Sequence, residues 1–193
     1  MGTFHLLFLD HPISFGKTAA VFSQKWDAAV LNLGEMVRKE FRQESELGTA
    51  IQSYLGQAEI IPDVLLQRLV LVELDRHKGQ KVLLYGYPKT QEQFVAMKDQ
   101  LVENGWEIES IWYVSHNKID HFLEQYLQKP DMKASMEKYD GVEAFLERGR
   151  AQYAERKKAI FDLQQSTAPI PWQVLEINDE SEIEQKLTPF LKI

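Results

Sequence analysis

Segments typical of β-strands alternate with segments typical of helices along almost the whole of this 193-residue chain. Short apolar runs predict five strands, at residues 4–9, 28–31, 81–85, 108–114 and 172–177. The residues between these runs show helical spacing of apolar side chains or signals for helix starts. Such alternation predicts an α/β fold in which helices cover both faces of a parallel sheet.

Helices are predicted at residues 16–26, 34–43, 45–54, 64–74, 90–104, from Val142 onward, and up to about 191. Ser45 is the predicted N-cap of the third of these helices, and Pro62 suits the first turn of the fourth. Because residues 64–74 are apolar on nearly all sides, we expect that helix to be buried. Five aromatic residues are expected to pack in the interior: Trp26, Phe41, Trp106, Trp112 and Tyr113.

Composition narrows the classes of protein that this chain can belong to. The formal net charge of −7 argues against a nucleic-acid partner, since phosphate backbones are bound through positive surfaces. With no cysteine there are no disulfides, which fits a reducing compartment. The N-terminal residues lack the features of a signal peptide, and no apolar run approaches the ~18 residues of a membrane span. We therefore expect one soluble, cytoplasmic domain over residues 1–193, without a membrane partner.

The loop after the first strand carries the sequence Gly-Lys-Thr at positions 16–18, where a helix is predicted to begin. In a phosphate-binding loop, backbone N–H groups and the helix dipole attract phosphates, the lysine neutralises them, and the hydroxyl reaches Mg²⁺. Ser14, Gly16, Lys17 and Thr18 are therefore candidates for phosphate binding, and Thr18 for Mg²⁺. The first glycine of such a loop is missing, and either Asp10 or His11 occupies its place.

Asp10, His11 and Ser14 also contain the residue types of a nucleophilic triad. The chain has no Gly-x-Ser-x-Gly elbow, so a phosphate-binding loop explains these residues better.

Two further motifs follow in the chain. Positions 33–38 read Leu-Gly-Glu-Met-Val-Arg, and positions 86–90, directly after the third strand, read Gly-Tyr-Pro-Lys-Thr, with Gln93 shortly after. Together with the loop at 10–19, these motifs resemble, in order, those of the adenylate kinases and of nucleoside monophosphate kinases generally. The resemblance covers nearly the whole chain, from Phe8 to Leu191. It implies a P-loop fold with five parallel strands in the order 2-3-1-4-5, and ligands at their carboxyl ends.

The resemblance also implies roles for individual residues. ATP and Mg²⁺ would lie at the loop 10–19, with Lys17 as a catalytic cation. Gly34 and Arg38 would hold the phosphate of the acceptor, AMP or another monophosphate, within a helical insertion at about 33–62. Gly86 and Lys89 would lie at the same phosphate, Lys89 as a catalytic cation, and the Gln93 amide would contact adenine, since it can donate and accept.

Several positions depart from the family pattern. Tyr85 stands where the family has an aspartate near the metal, and Lys89 replaces an arginine, which loses the bidentate fork. Glu124 and Gln128 fall at about the places of two arginines. The lid is shortened to about residues 129–139.

Lys138 and one of Arg148 or Arg150 are candidates to replace the family's arginines in the lid and in the helix that follows it. With the other arginines lost, the resemblance implies that phosphoryl transfer from ATP to AMP is weak or lost. The alternative is a catalytically inactive kinase fold that binds a protein partner as a structural or regulatory module.

Overall fold

The computed structural model describes residues 2–57, 59–129, 132 and 141–191. One parallel sheet has the strand order β2-β3-β1-β4-β5, with helices on both sides. The strands are β1 (Gly2–Leu9), β2 (Ala28–Asn32), β3 (Lys81–Tyr85), β4 (Trp106–His116) and β5 (Trp172–Ile177). The predicted fold class and strand order are therefore confirmed. The first and fourth strands are longer than their apolar runs predicted.

Five helices lie within two residues of the bounds predicted for them, and another begins at Val142 as predicted. A helix at Ile119–Leu127 was not predicted, and the last helix ends at Leu187, before residue 191. The helices are α1 (Phe15–Trp26), α2 (Leu33–Phe41), α3 (Glu46–Gly56), α4 (Asp63–Arg76), α5 (Gln91–Glu103), α6 (Ile119–Leu127), α7 (Val142–Ser166) and α8 (Glu182–Leu187). Short 3₁₀ turns lie at Pro12–Ser14 and Thr188–Phe190. The Ser45 hydroxyl accepts from the Gly48 N–H at 2.8 Å, as expected for the N-cap of α3.

The chain divides into two compact units. The first comprises Met1–Leu7, Ala28–Ile111 and Pro169–Pro171, and it carries the predicted acceptor motifs. The second comprises Phe8–Asp27, Trp112–Ala168 and Trp172–Ile193, and it carries the predicted phosphate loop. The prediction of a single functional domain with an insertion at 33–62 stays a prediction. Most of the predicted lid, together with Lys138, lies outside the described residues.

Within the first unit, the parallel register brings two loops together. Asn32 pairs with Tyr85, so β2 and β3 end at the same level. A Cβ on Gly86, which follows β3, would lie 3.6 Å from the Cβ of Leu33, the first residue of α2. Gly86 has a φ of +89°, which favours glycine. The two predicted acceptor motifs therefore begin side by side.

Helix α4 is less buried than its apolar sequence predicted. Val64 is 60 % exposed and Arg68 is exposed, while Leu65, Leu66, Leu71 and Val72 are half-buried. The buried residues are Gln67, Leu69, Val70, Glu73 and Leu74. Two of these buried residues are polar, and each has a hydrogen-bond partner. Gln67 donates to the Tyr87 hydroxyl at 3.2 Å, and Glu73 accepts from Lys39 at 3.2 Å. The prediction that residues 64–74 are buried therefore holds for most of the helix but not for Val64 and Arg68.

The aromatic residues mostly follow the prediction. Trp106 and Trp112 are 1 % and 4 % exposed, and Trp26 is half-buried with its ring against that of Trp112. Phe41 is 41 % exposed, because it ends α2 at the surface, so the prediction that it packs inside is wrong. Tyr113 is half-buried, and its hydroxyl has a polar partner that is described below.

Gly48 allows α3 to approach the end of α2, the helix that carries Arg38. A Cβ at Gly48 would lie 2.4 Å from the Gln43 carbonyl oxygen and 2.5 Å from that of Glu40, and both are backbone atoms. Gly48→Ala should therefore lower the free energy of unfolding by about 1–3 kcal/mol in urea denaturation. Gly56→Ala, in the same helix, meets nothing within 4 Å and should raise it by up to about 1 kcal/mol. Equal effects of the two substitutions would contradict this packing argument.

Candidate functional site

The loop after β1 begins with a buried carboxylate. Asp10 is 0 % exposed and accepts from the backbone N–H of His116 at 3.0 Å and from the Tyr113 hydroxyl at 3.2 Å. It also accepts from Nδ1 of the His116 ring. Because a carboxylate only accepts, this contact places the His116 ring proton on Nδ1. Burial and the Asp10 charge raise the pKa of Tyr113 well above its usual value. The negative charge of Asp10 is thus surrounded by donors.

The same histidine contacts the other end of the loop. Nε2 of His116 lies 2.8 Å from the Ser14 hydroxyl, which completes a serine–histidine–aspartate chain. Ser14 and His116 are both 0 % exposed, so this chain of hydrogen bonds is internal, and the predicted phosphate-binding role of Ser14 stays a prediction. Its physical effect is to tie Asp10, where the loop begins, to Ser14, the N-cap of α1.

His11 is the residue at the missing glycine position in a strict count. Its Nδ1 accepts from the Ile13 N–H at 3.2 Å, which caps the 3₁₀ turn. The residue is 6 % exposed, and its Nε2 has no hydrogen-bond partner among the described residues. Burial, followed by the electrostatic effects of His116 and Arg156, lowers the pKa of His11 to about 4. The ring is therefore neutral at pH 7.

The three residues of the Gly-Lys-Thr motif open α1 as predicted. Gly16 and Lys17 are exposed, and a Cβ on Gly16 would meet nothing within 4 Å. Thr18 is 0 % exposed, and its hydroxyl is without a hydrogen-bond partner in the part of the chain that the structure describes. An unpaired buried hydroxyl has a desolvation cost of about 1–3 kcal/mol, which a ligand oxygen or a metal ion would offset. Thr18 therefore suits the predicted role of a Mg²⁺ ligand.

Helix α7 contributes residues that the sequence analysis did not single out. The Tyr153 hydroxyl donates to the His116 carbonyl at 2.9 Å, and Lys157 donates to Tyr153 at 2.8 Å. The predicted cation Arg150 instead pairs with Asp120 at 2.6 Å on the exposed surface. Arg148 is also exposed, and the catalytic roles of both arginines stay predictions. The sequence could have indicated that Tyr153 and Lys157 lie on the same face of α7, because they are spaced by four residues.

In the first unit, the start of α2 is fixed by a cap. The Asn32 side chain accepts from the Gly34 N–H at 2.9 Å. Arg38, one turn later, is exposed, and its guanidinium lies 3.5 Å from where a Cβ on Gly34 would be. Gly34 and Arg38 are therefore neighbours, as the motif predicted.

A surface cavity of about 460 Å³ lies along α2. Its lining residues are Glu35, Arg38, Lys39, Arg42 and Gln43. Three of these five carry positive charge, so the cavity has the electrostatic character of an anion site.

The second acceptor motif is held by its own glutamine. Oε1 of Gln93 accepts from the backbone N–H of Lys89 at 2.8 Å, and its Nε2 donates to the Asp63 carboxylate at 2.8 Å. Lys89 itself is exposed, and Thr90 caps α5. The Gln93 amide therefore fastens the loop after β3 to the start of α4. Its predicted contact with adenine stays a prediction.

Comparison with known proteins agrees with these motifs. The family model for adenylate kinase matches residues 12–171, and the chain belongs to the adenylate kinase family. It is 31 % identical over 100 residues to the adenylate kinase of Thermococcus onnurineus, covering 51 % of this chain and 44 % of that protein. Over 112 residues it is 33 % identical to the adenylate kinase of Streptococcus pneumoniae (strain Hungary19A-6), covering 57 % and 52 %.

The chain spans only about 38–52 % of the length of three curated relatives that it matches. In the described ranges, no helix is both long enough and apolar enough to cross a membrane.

The buried His11 ring predicts a specific loss of stability in acid. Its pKa is about 4 in the folded protein and 6.5 as the ordinary value, so the unfolded chain binds the extra proton as the pH falls between them. The free energy of unfolding should therefore fall by about 3 kcal/mol between pH 7 and pH 4 because of this residue. His11→Asn, whose Oδ1 can still accept from Ile13, should lack this component.

Urea denaturation of both proteins across that pH range checks this. The groups whose electrostatics act on His11, namely Asp10, His116 and Arg156, are the same in both proteins. Stability curves that run parallel from pH 7 to pH 4 would contradict the assigned pKa of His11.

Proposed function

We propose that this protein is a nucleotide-binding member of the adenylate kinase family in which the transfer of phosphate from ATP to AMP is weak or lost. The observation that carries the proposal is the state of the Gly-Lys-Thr motif: it opens a twelve-residue helix, exposes Lys17, and buries a Thr18 hydroxyl for which the described residues provide no partner. These are the features that phosphate and Mg²⁺ require of such a loop.

On the donor side, Lys17 neutralises the phosphate oxygens of ATP, and Thr18 would hold Mg²⁺. The bound Mg²⁺ would supply the charge that offsets the phosphates. The backbone N–H groups at the start of α1 orient the phosphate chain, and the open space over Gly16 lets a ligand approach the backbone.

On the acceptor side, Arg38 binds the phosphate of AMP or a related monophosphate. The proposal is supported by its place in a cavity that Lys39 and Arg42 make more positive. Lys89, exposed directly after the Gly86 turn, is the second proposed cation.

Phosphoryl transfer is expected to be weak because positively charged side chains are missing where the transferring phosphate would lie. One arginine placed on a transferring phosphate can be worth ~10³–10⁵ in rate. Glu124 and Gln128 bring no positive charge to the positions of two such arginines. Arg150 is already paired with Asp120 on the surface, and Lys157 donates to Tyr153.

A coupled assay with ATP, Mg²⁺ and each nucleoside monophosphate tests the proposal directly. We expect turnover at least about 10³-fold slower than that of the Thermococcus onnurineus adenylate kinase measured alongside. Turnover within tenfold of that relative would refute the loss of transfer. If neither ATP nor any monophosphate binds at millimolar concentration, the chain is better described as a protein-interaction module.

Lys17 provides a test of the donor side. MgATP should bind with a dissociation constant in the high-micromolar range or weaker, because a bulky residue replaces the first glycine of the loop. Lys17→Ala should weaken binding at least about tenfold, because it removes a charge-assisted contact. Calorimetric titration measures both values. Lys25→Ala is the control, since Lys25 lies in the same helix but pairs with Glu184 at 3.0 Å and should leave binding unchanged.

Arg38 provides the corresponding test of the acceptor side. Arg38→Ala should weaken AMP binding roughly tenfold or more, while Arg68→Ala, an exposed arginine that pairs with Glu46, should not. AMP is expected to bind at least as tightly as ATP, since the acceptor side keeps more of the family's expected residues than the donor side. Unchanged AMP affinity in Arg38→Ala would show that the acceptor site is not used.

A further inference from the structure

The protonation of His11 can be deduced from its contacts. Nδ1 accepts a hydrogen bond from the Ile13 backbone N–H, so Nδ1 carries no proton. A neutral imidazole has one proton, which must then be on Nε2. His11 therefore presents an N–H donor at Nε2, in a residue that is 94 % buried, and that donor has no acceptor within residues 2–57, 59–129, 132 and 141–191.

The surroundings of this donor favour an anion. The positive charge of Arg156 acts on the His11 ring. Asp10, the neighbouring carboxylate, is 0 % exposed and already accepts hydrogen bonds from His116 and Tyr113. A buried donor with a guanidinium nearby has the chemistry that binds a phosphoryl oxygen.

The loop itself supplies an independent observation. The Thr18 hydroxyl, in the first turn of α1, is a second polar group with no partner in the described part of the chain. His11 and Thr18 thus mark the two ends of an eight-residue segment that contains two unsatisfied buried polar groups and an exposed lysine between them.

We propose that His11 takes over the function of the missing glycine, by donating its Nε2–H to a phosphoryl oxygen of the ligand at this loop. A glycine would admit the phosphate to the backbone N–H groups, whereas His11 meets it with a side-chain donor. Its Nδ1 at the same time caps the 3₁₀ turn, so one ring both shapes the loop and binds the ligand. This inference rests on the proposed nucleotide binding and specifies how the phosphate is held.

Two substitutions separate the two functions of the ring. His11→Asn places an oxygen near the position of Nδ1, so it keeps the cap on Ile13 but has no group at Nε2. His11→Gln places an amide N–H near the position of Nε2, but it loses the cap. The Asn variant should unfold at nearly the wild-type temperature at pH 7 and bind phosphate poorly, while the Gln variant should be less stable and retain most of the binding.

Calorimetric titration with inorganic pyrophosphate and with MgATP measures the effect. His11→Asn should weaken binding of both probes at least about tenfold and by the same factor, because the contact is to phosphate and not to the base. If wild type binds neither probe, the proposed donor site fails. If wild type binds and His11→Asn binds equally well, the role of His11 is refuted while the donor site stands.

A measurement on the wild-type protein does not depend on how the variants fold. Nitrogen-15 NMR of the histidine side chains should show His11 protonated at Nε2 at pH 7, and this Nε2–H signal should shift when pyrophosphate is added. A His11 ring protonated at Nδ1, or an Nε2–H signal that pyrophosphate leaves in place, would overturn the proposal.

Discussion

A carboxylate that is fully removed from water must be surrounded by donors, and the loop after β1 is organised by that requirement. Asp10 receives hydrogen bonds from the backbone and ring of His116 and from Tyr113. Since the carboxylate fixes the His116 proton on Nδ1, Nε2 must accept, and the Ser14 hydroxyl must donate to it. One buried charge thereby determines the direction of each hydrogen bond up to the start of α1. Removing a single donor would leave part of a buried charge uncompensated, which is costly.

This arrangement changes how the altered loop should be understood. From the sequence alone, Asp10 at the first glycine position would bring a negative charge close to the phosphates. In the structure the Asp10 carboxylate is buried and accepts hydrogen bonds, so it should repel a bound phosphate less than the sequence suggests. The residue proposed to replace the glycine chemically is His11, which is neutral at pH 7 and whose Nε2 has no hydrogen-bond partner among the described residues. If His11 binds the phosphate as proposed, the loop gains a side-chain donor without adding charge.

The fold could be predicted almost completely, and the internal contacts of the loop could not. Apolar runs located all five strands, and the order of the motifs supplied the strand order. His116 was missed because it lies 102 residues from Ser14, and only the fold places it there. The partners of Gln67 on α4 were missed for the same reason, since its burial depends on the Tyr87 hydroxyl. Lys157 could have been found, because it lies one turn after Tyr153 on the same helix.

Gln93 shows how a family residue can acquire a structural function. Both ends of its amide already have partners, the Lys89 N–H and the Asp63 carboxylate, and these contacts hold the loop after β3 against the start of α4. A base that used this amide would have to replace two existing hydrogen bonds, so its net gain would be small compared with a site whose amide is unpaired. A phosphate at Arg38 meets no such competition, because that guanidinium is exposed at the cavity along α2. On the acceptor side, the phosphate should therefore contribute more to affinity than the base, and discrimination between monophosphates should be weak.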